Sequence, residues 1–116
     1  MFIKLNHKSL KIYEAIRELA KEVYAVSLHL PLEEKFNMVQ QMRRAALSVK
    51  LNLAEGSTRK SPIERKRFYE VARGSLVEIG AVLETAVDLN YFKGDQLNSV
   101  AKLLNKCFAM LSNMIN

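Results

Sequence analysis

Apolar residues recur along this chain at alternating steps of three and four, and nowhere strictly at every second position. The first run is Tyr13, Ile16, Ala20, Val23 and Ser27, with Ile12, Leu19 and Val26 forming a second stripe beside it. With Ser9 as a plausible N-cap, it predicts a helix over about residues 9–28. Pro31 disfavours helix at Leu30, so HLPLEE breaks the chain. Val39, Met42, Ala46, Val49 and Leu53 resume the spacing and predict a second helix over about 33–55, roughly 35 Å long. Gly56 is well placed to end it as a left-handed residue. SPIE then supplies an N-cap (Ser61), a proline at the first helical position (Pro62) and a capping-box glutamate (Glu64). A third helix over about 62–90 follows from Phe68, Ala72, Ser75, Ile79, Val82, Ala86 and Leu89, flanked by Tyr69, Leu76 and Leu83. Gly74 and Gly80 each cost about 1 kcal/mol in a helix interior and suggest close approach of another helix, with simple tolerance the alternative for Gly80. After the YFKGDQ turn, with Asp95 as N-cap, Val100, Leu104, Cys107, Leu111 and Met114 predict a fourth helix over about 95–114.

Four long helices with short connections predict an all-α fold: an up-down-up-down antiparallel four-helix bundle in one domain spanning 1–116. Several helices carry two apolar stripes where a bundle needs one inward face, and the surplus points to a homo-oligomer. The 116 residues suffice for one core without disulfide or metal staples. Cys107 is the single cysteine, and its apolar neighbours Phe108 and Ala109 make it a small buried hydrophobe rather than a reactive thiol. The N-terminus lacks the continuous apolar segment of a signal peptide, and no run approaches the roughly 20 apolar residues of a membrane span. The expectation is a cytoplasmic protein without membrane association.

Charge sharpens the functional question. Between Arg43 and Arg73 nine bases face three acids, so this segment holds the whole net charge of +6. Such focusing suggests a polyanion partner; the alternative is a solvated basic face. The candidate nucleic-acid-binding residues are Arg43, Lys50, Arg59, Lys60, Arg65, Lys66, Arg67 and Arg73. Adjacent bases fan around a helix, so not all can touch one ligand. A base could stack on an aromatic beside them. Phe68 falls on the core seam, which leaves Tyr69 as the stacking candidate.

Arg44, Ser48, Asn52 and Glu55 recur at steps of four, four and three, one polar stripe on the second helix. A polar stripe among apolar positions is costly unless its members are paired. It reads as a structural polar seam, with Arg44 paired to a glutamate such as Glu78 and Asn52 holding the Gly56 turn. Direct ligand contact and simple exposure are the alternatives. No catalytic or metal constellation is visible: His7 and His29 sit at loop-like ends, and no Cys/His/Asp/Glu cluster has ligand spacing. Phosphate-loop and hydrolase motifs are missing. Glu14, Glu18 and Glu22 alternate with Arg17 and Lys21, as on a solvated ion-pair face. A non-enzyme without cofactor is expected.

The stretch QQMRRAALSVKLNLAEGSTRKS followed by RFYEVARGSLVEI resembles the bacterial four-helix bundle proteins encoded in intervening sequences of large-subunit ribosomal RNA genes. The hallmarks are an RRAA–S–N–AEG–R helix end, here Arg43 to Arg59, and an R-F-x-x-x-A-R-G-S-x-x-E segment, here Arg67 to Glu78. LPLEEKFNMVQQ also fits the family's pattern, and the likeness covers nearly the whole chain. Lys50 stands where members often have proline or a small residue, and Leu30 replaces a common aromatic. The resemblance implies a four-helix bundle assembled as a homopentamer. It further implies relatedness to accessory proteins of diversity-generating retroelements, which bind nucleic acid and a reverse transcriptase. It brings no catalytic residues. The expected function is non-catalytic nucleic-acid binding, RNA favoured over DNA. The alternative is a protein-interaction scaffold or accessory subunit for a nucleic-acid enzyme.

Overall fold

A computed structural model describes residues 5–116. It holds four α-helices, α1 (Tyr13–Ser27), α2 (Met38–Ser57), α3 (Pro62–Asp88) and α4 (Asn98–Ile115), and no strand among the described residues. Short 3-10 turns at Asn6–Ser9, Leu32–Glu34 and Gly94–Leu97 precede α1, α2 and α4. The largest helix contact is α2 on α3; α3 also packs on α4, and α1 on both α2 and α4, so the contacts close a ring. No described helix is long and apolar enough to cross a membrane.

The core is built where the three-and-four spacing turns inward. Ile12, Ile16, Leu19, Val23, Met42, Val49, Leu53, Ala72, Ile79, Val100, Cys107 and Leu111 are all essentially excluded from solvent. Full burial of each large side chain among them contributes about 1.5–3 kcal/mol. The inward line of α1 takes members of both predicted stripes, leaving Tyr13, Ala20 and Val26 half-buried. On α3 the inward aromatic is Tyr69, and Phe68 is half-buried. On α4, Ile115 is buried and Met114 only partly.

Several helix ends differ from expectation. α1 starts at Tyr13, so Ser9 lies in the preceding 3-10 turn and is not its N-cap. Glu33 and Glu34 form a 3-10 turn, and Asn37, at φ −129° and ψ −94°, separates it from α2. The 20 residues of α2 span about 30 Å. Asp95 lies in a 3-10 turn, and Leu97 stands at the N-cap of α4. The start of α3 follows the sequence signal: Ser61 Oγ accepts from the Glu64 N–H at 3.4 Å, with Pro62 first in the helix. The return bond from the Glu64 side chain, which would complete a capping box, is not made.

Gly56 does not terminate α2. The helix runs through it to Ser57, and its last turn tightens as Thr58 N–H bonds Glu55 O and Arg59 N–H bonds Gly56 O. Gly56 is needed for close approach instead: a Cβ there would lie 2.7 Å from Tyr69 Cε1 and 2.9 Å from Phe68 Cβ. Gly74 and Gly80, expected to mark close approach, would meet nothing within 4 Å. The left-handed residue is Asn90 (φ 63°), just past α3. Tyr91 N–H bonds Ala86 O and Asn90 N–H bonds Val87 O, the paired bonds of a Schellman ending. The Tyr91 hydroxyl then donates to Glu34 at 2.8 Å, tying the α3–α4 connection to the α1–α2 connection.

Candidate nucleic-acid interface

The turn between α2 and α3 is organised by one arginine. Arg65, in the first turn of α3, donates through Nη1 to the carbonyls of Arg59 (2.7 Å) and Lys60 (3.0 Å). Two carbonyls of the loop between α2 and α3 are thereby satisfied, so Arg65 clamps the turn. The clamp presents the basic side chains around it. Arg59 stacks its guanidinium 4.9 Å from the Phe68 ring centroid and pairs with Glu55 at 3.6 Å. Lys60, Lys66 and Arg67 are exposed and have no side-chain partner among the described residues.

The other predicted bases are set apart. Arg43 Nε donates to Ser27 Oγ at 2.8 Å and stacks 4.8 Å over Tyr24, while Ser27 donates to Tyr24 O. This contact fastens α2 to α1. Lys50 also faces α1, 6.0 Å from the Tyr13 ring. Arg73 Nη1 donates to Ser112 Oγ at 3.1 Å and lies 5.7 Å over Phe108, across the α3–α4 seam. The eight bases therefore do not share one face: five gather at the α2–α3 turn, two face α1 and one faces α4. Of the eight, Arg59 is the only one with a carboxylate partner among the described residues. The remaining ion pairs, Glu14–Arg17 and Glu18–Lys21, form the solvated face of α1 that their spacing predicts.

The polar seam exists in shortened form. Ser75 Oγ donates to Ser48 Oγ at 2.8 Å, and Asn52 Nδ2 donates to Ser48 O (2.8 Å) and Ser48 Oγ (3.1 Å). These three residues join α2 to α3, and no described buried side-chain polar atom lacks a partner. Arg44, Glu55 and Glu78 do not belong to it. All three are exposed, Arg44 and Glu78 form no ion pair, and Glu55 pairs only with Arg59. Long charged side chains keep their heads in water where a short Ser–Asn chain already satisfies the interface. Gly56 lies one turn beyond Asn52, against Tyr69. Ser75 was legible only as a serine on the apolar line of α3; nothing local in the sequence identifies Ser48 as its partner.

The burial of the two aromatics is the reverse of that expected. Tyr69 is buried against Gly56, which leaves its ring no open face for stacking, and burial pushes its hydroxyl above the usual tyrosine range. Phe68 instead lines an open cleft of about 370 Å³ with Asn52, Arg59, Glu64, Arg67 and Val71. A larger groove, about 610 Å³, runs between α3 and α4. Leu76, Val77, Leu104 and Phe108 line it, Glu84 and Asp88 are its acids, and it contains no base. Nothing among the described residues groups three or more His, Cys, Asp or Glu as metal ligands. Cys107 is fully buried, its thiol pushed up to about 11 by desolvation.

No curated protein matches this sequence. The family model described as 23S rRNA-intervening sequence protein matches residues 8–113, from the opening turn almost to the end of α4. The match takes in all four helices, the Ser48–Asn52–Ser75 seam and the basic α2–α3 turn, and the chain belongs to the 23S rRNA-intervening sequence protein family.

Proposed function

We propose that this protein binds nucleic acid without catalysing a reaction, RNA in preference to DNA, through the basic surface around the α2–α3 turn. One observation carries the reading: seven of the eight candidate bases have no carboxylate partner among the described residues, and Lys60, Lys66 and Arg67 have no structural duty. Unneutralised bases at one turn raise the local potential and favour a polyanion. The family's association with ribosomal RNA genes favours RNA. An up-down-up-down order of the helices fits this reading, and the α2–α3 pair supports it: Ser48 meets Ser75 and Gly56 meets Tyr69, so contacts climb α2 while descending α3. Exposed Leu47, Leu51, Val71 and Val77 favour self-association, and the family resemblance makes a homopentamer the leading assembly. A cytoplasmic location fits these assignments.

Titration with RNA tests the reading. Binding should be tight at low salt, with log K falling by about 0.7–0.9 per decade of salt for each phosphate neutralised. Replacing Arg59, Lys60, Lys66 and Arg67 with alanine should flatten that slope while leaving the helical signal intact. No binding at low salt would overturn the proposal. Light scattering tests the assembly, and a species of 13.2 kDa alone at micromolar concentration would exclude it.

A second reading has its own support. The α3–α4 groove has an apolar floor, Glu84 and Asp88 on its walls and no base, which suits a protein partner better than a polyanion. A partner captured in high salt after nuclease treatment, and lost on Val77→Glu, would favour a scaffold or accessory role.

A further inference from the structure

We propose that the cleft between the last turns of α2 and the first turns of α3 receives one unpaired nucleobase, stacked on Phe68, with Arg59 and Arg67 holding the flanking phosphates. This deepens the nucleic-acid reading and rests on it. The cleft is lined by Asn52, Arg59, Glu64, Arg67, Phe68 and Val71. Its volume of about 370 Å³ lies at the small end of the roughly 300–1,000 Å³ of ligand pockets and accommodates one base.

The stem of Phe68 is fixed, because its Cβ sits against the backbone of Gly56 where the two helices touch. Its ring lines the open cleft, so the stacking surface is prearranged on rigid helices. Arg59 now covers that ring at 4.9 Å, and its one other partner is exposed Glu55 at 3.6 Å. Exposed ion pairs and exposed cation–π contacts are both weak, and base–aromatic stacking exceeds them. An incoming base can therefore displace the guanidinium, which gains a phosphate in exchange. Arg67, exposed and unpaired at the cleft, is positioned to take a second phosphate.

The cleft also favours certain base edges. The amide nitrogen of Asn52 is committed to Ser48, which leaves its oxygen as the available group. Glu64 adds a carboxylate. Both are acceptors, so a base bearing an exocyclic amino group fits better than uracil. A paired base presents neither its face nor that edge, so the site selects single strands or loops.

The test uses the full chain and short oligoribonucleotides carrying one 2-aminopurine. The probe is compared with the same strand made abasic at that position, and with its matched duplex. The intact single strand should bind about tenfold tighter than the abasic strand, with quenched aminopurine fluorescence. Phe68→Leu should bring that ratio towards one. Equal affinity for intact, abasic and duplex RNA would overturn the base subsite while leaving the polyanion reading standing. Failure of every strand to bind at low salt would sink both. If Phe68→Leu alters the mass in solution while leaving the quenching unchanged, the cleft is a contact between copies and the proposal is wrong. The comparison of strands on the unmodified protein stands even if the variant unfolds.

Discussion

At the scale of residues, glycines and short polar side chains decide the α2–α3 contact. Gly56→Ala places a methyl against the Tyr69 ring and the Phe68 stem, neither of which can retreat without disturbing the core. Such overpacking costs about 1–3 kcal/mol, and denaturant unfolding should show it as a lowered midpoint with an unchanged slope. Gly74→Ala should go the other way by about 0.5–1 kcal/mol, because its site is helical and open. The sequence marked these glycines as special but gave the close approach to Gly74 and not to Gly56. Spacing along one helix cannot say which residue of the facing helix stands opposite. Asn52 and Ser48 were legible as an i,i+4 pair; the Arg44–Glu78 link that the spacing suggested is not made, since exposed side chains choose water over each other. Cys107 behaves as its apolar neighbours suggest. With its thiol raised to about 11 from 9.0, the folded protein favours the protonated form. The thiol's contribution to stability is complete below pH 9 and declines as pH rises towards 11. Iodoacetamide at neutral pH should label Cys107 only after denaturation, and rapid labelling of the native protein would contradict its burial.

At the scale of elements, legibility followed the strength of the local signal. Ser61, Pro62 and Glu64 announced the start of α3 to the residue. The start of α2 was read too early because Glu33 to Asn37 contain no helix breaker, and only backbone geometry reveals the 3-10 turn and the break. The end of α3 depends on Asn90 taking a left-handed conformation, which asparagine tolerates but does not advertise. The opening turn, Asn6–Ser9, hangs on His7, which is buried with its ring edge-on to Tyr13 at 5.4 Å. Desolvation, then Lys50 and Lys8, lower the imidazole from its usual 6.5, so the folded turn holds it neutral. Its contribution is complete above pH 6.5 and is lost as pH falls through the depressed value. Amide exchange in residues 6–12, corrected for intrinsic rates, should therefore accelerate between pH 7 and pH 5 while the α2–α3 core stays protected. Uniform protection across that range would refute the role given to His7.

At the scale of the molecule, composition and periodicity foretold an all-helical chain with a focused positive charge, and both hold. What they could not foretell was the distribution of that charge in space. Arg59, Lys60, Arg65, Lys66 and Arg67 meet at the α2–α3 turn because Arg65 folds the connection back on itself. Glu33 and Glu34 lie in the α1–α2 connection that Tyr91 ties to the α3–α4 connection, with Asp88 and Asp95 flanking the latter. The molecule is 45 Å long, and these two groups occupy opposite ends of it. Each copy is thus a permanent dipole. In the field of a polyanion it feels a torque before it feels a contact, and turns its basic end forward. Charges remote from the binding surface then influence how often an encounter succeeds. Glu33→Gln with Glu34→Gln should change the association rate with RNA at low salt and leave the dissociation rate unchanged, as stopped-flow fluorescence would resolve. At about 0.15 M salt, where the Debye length is near 8 Å, the difference should vanish.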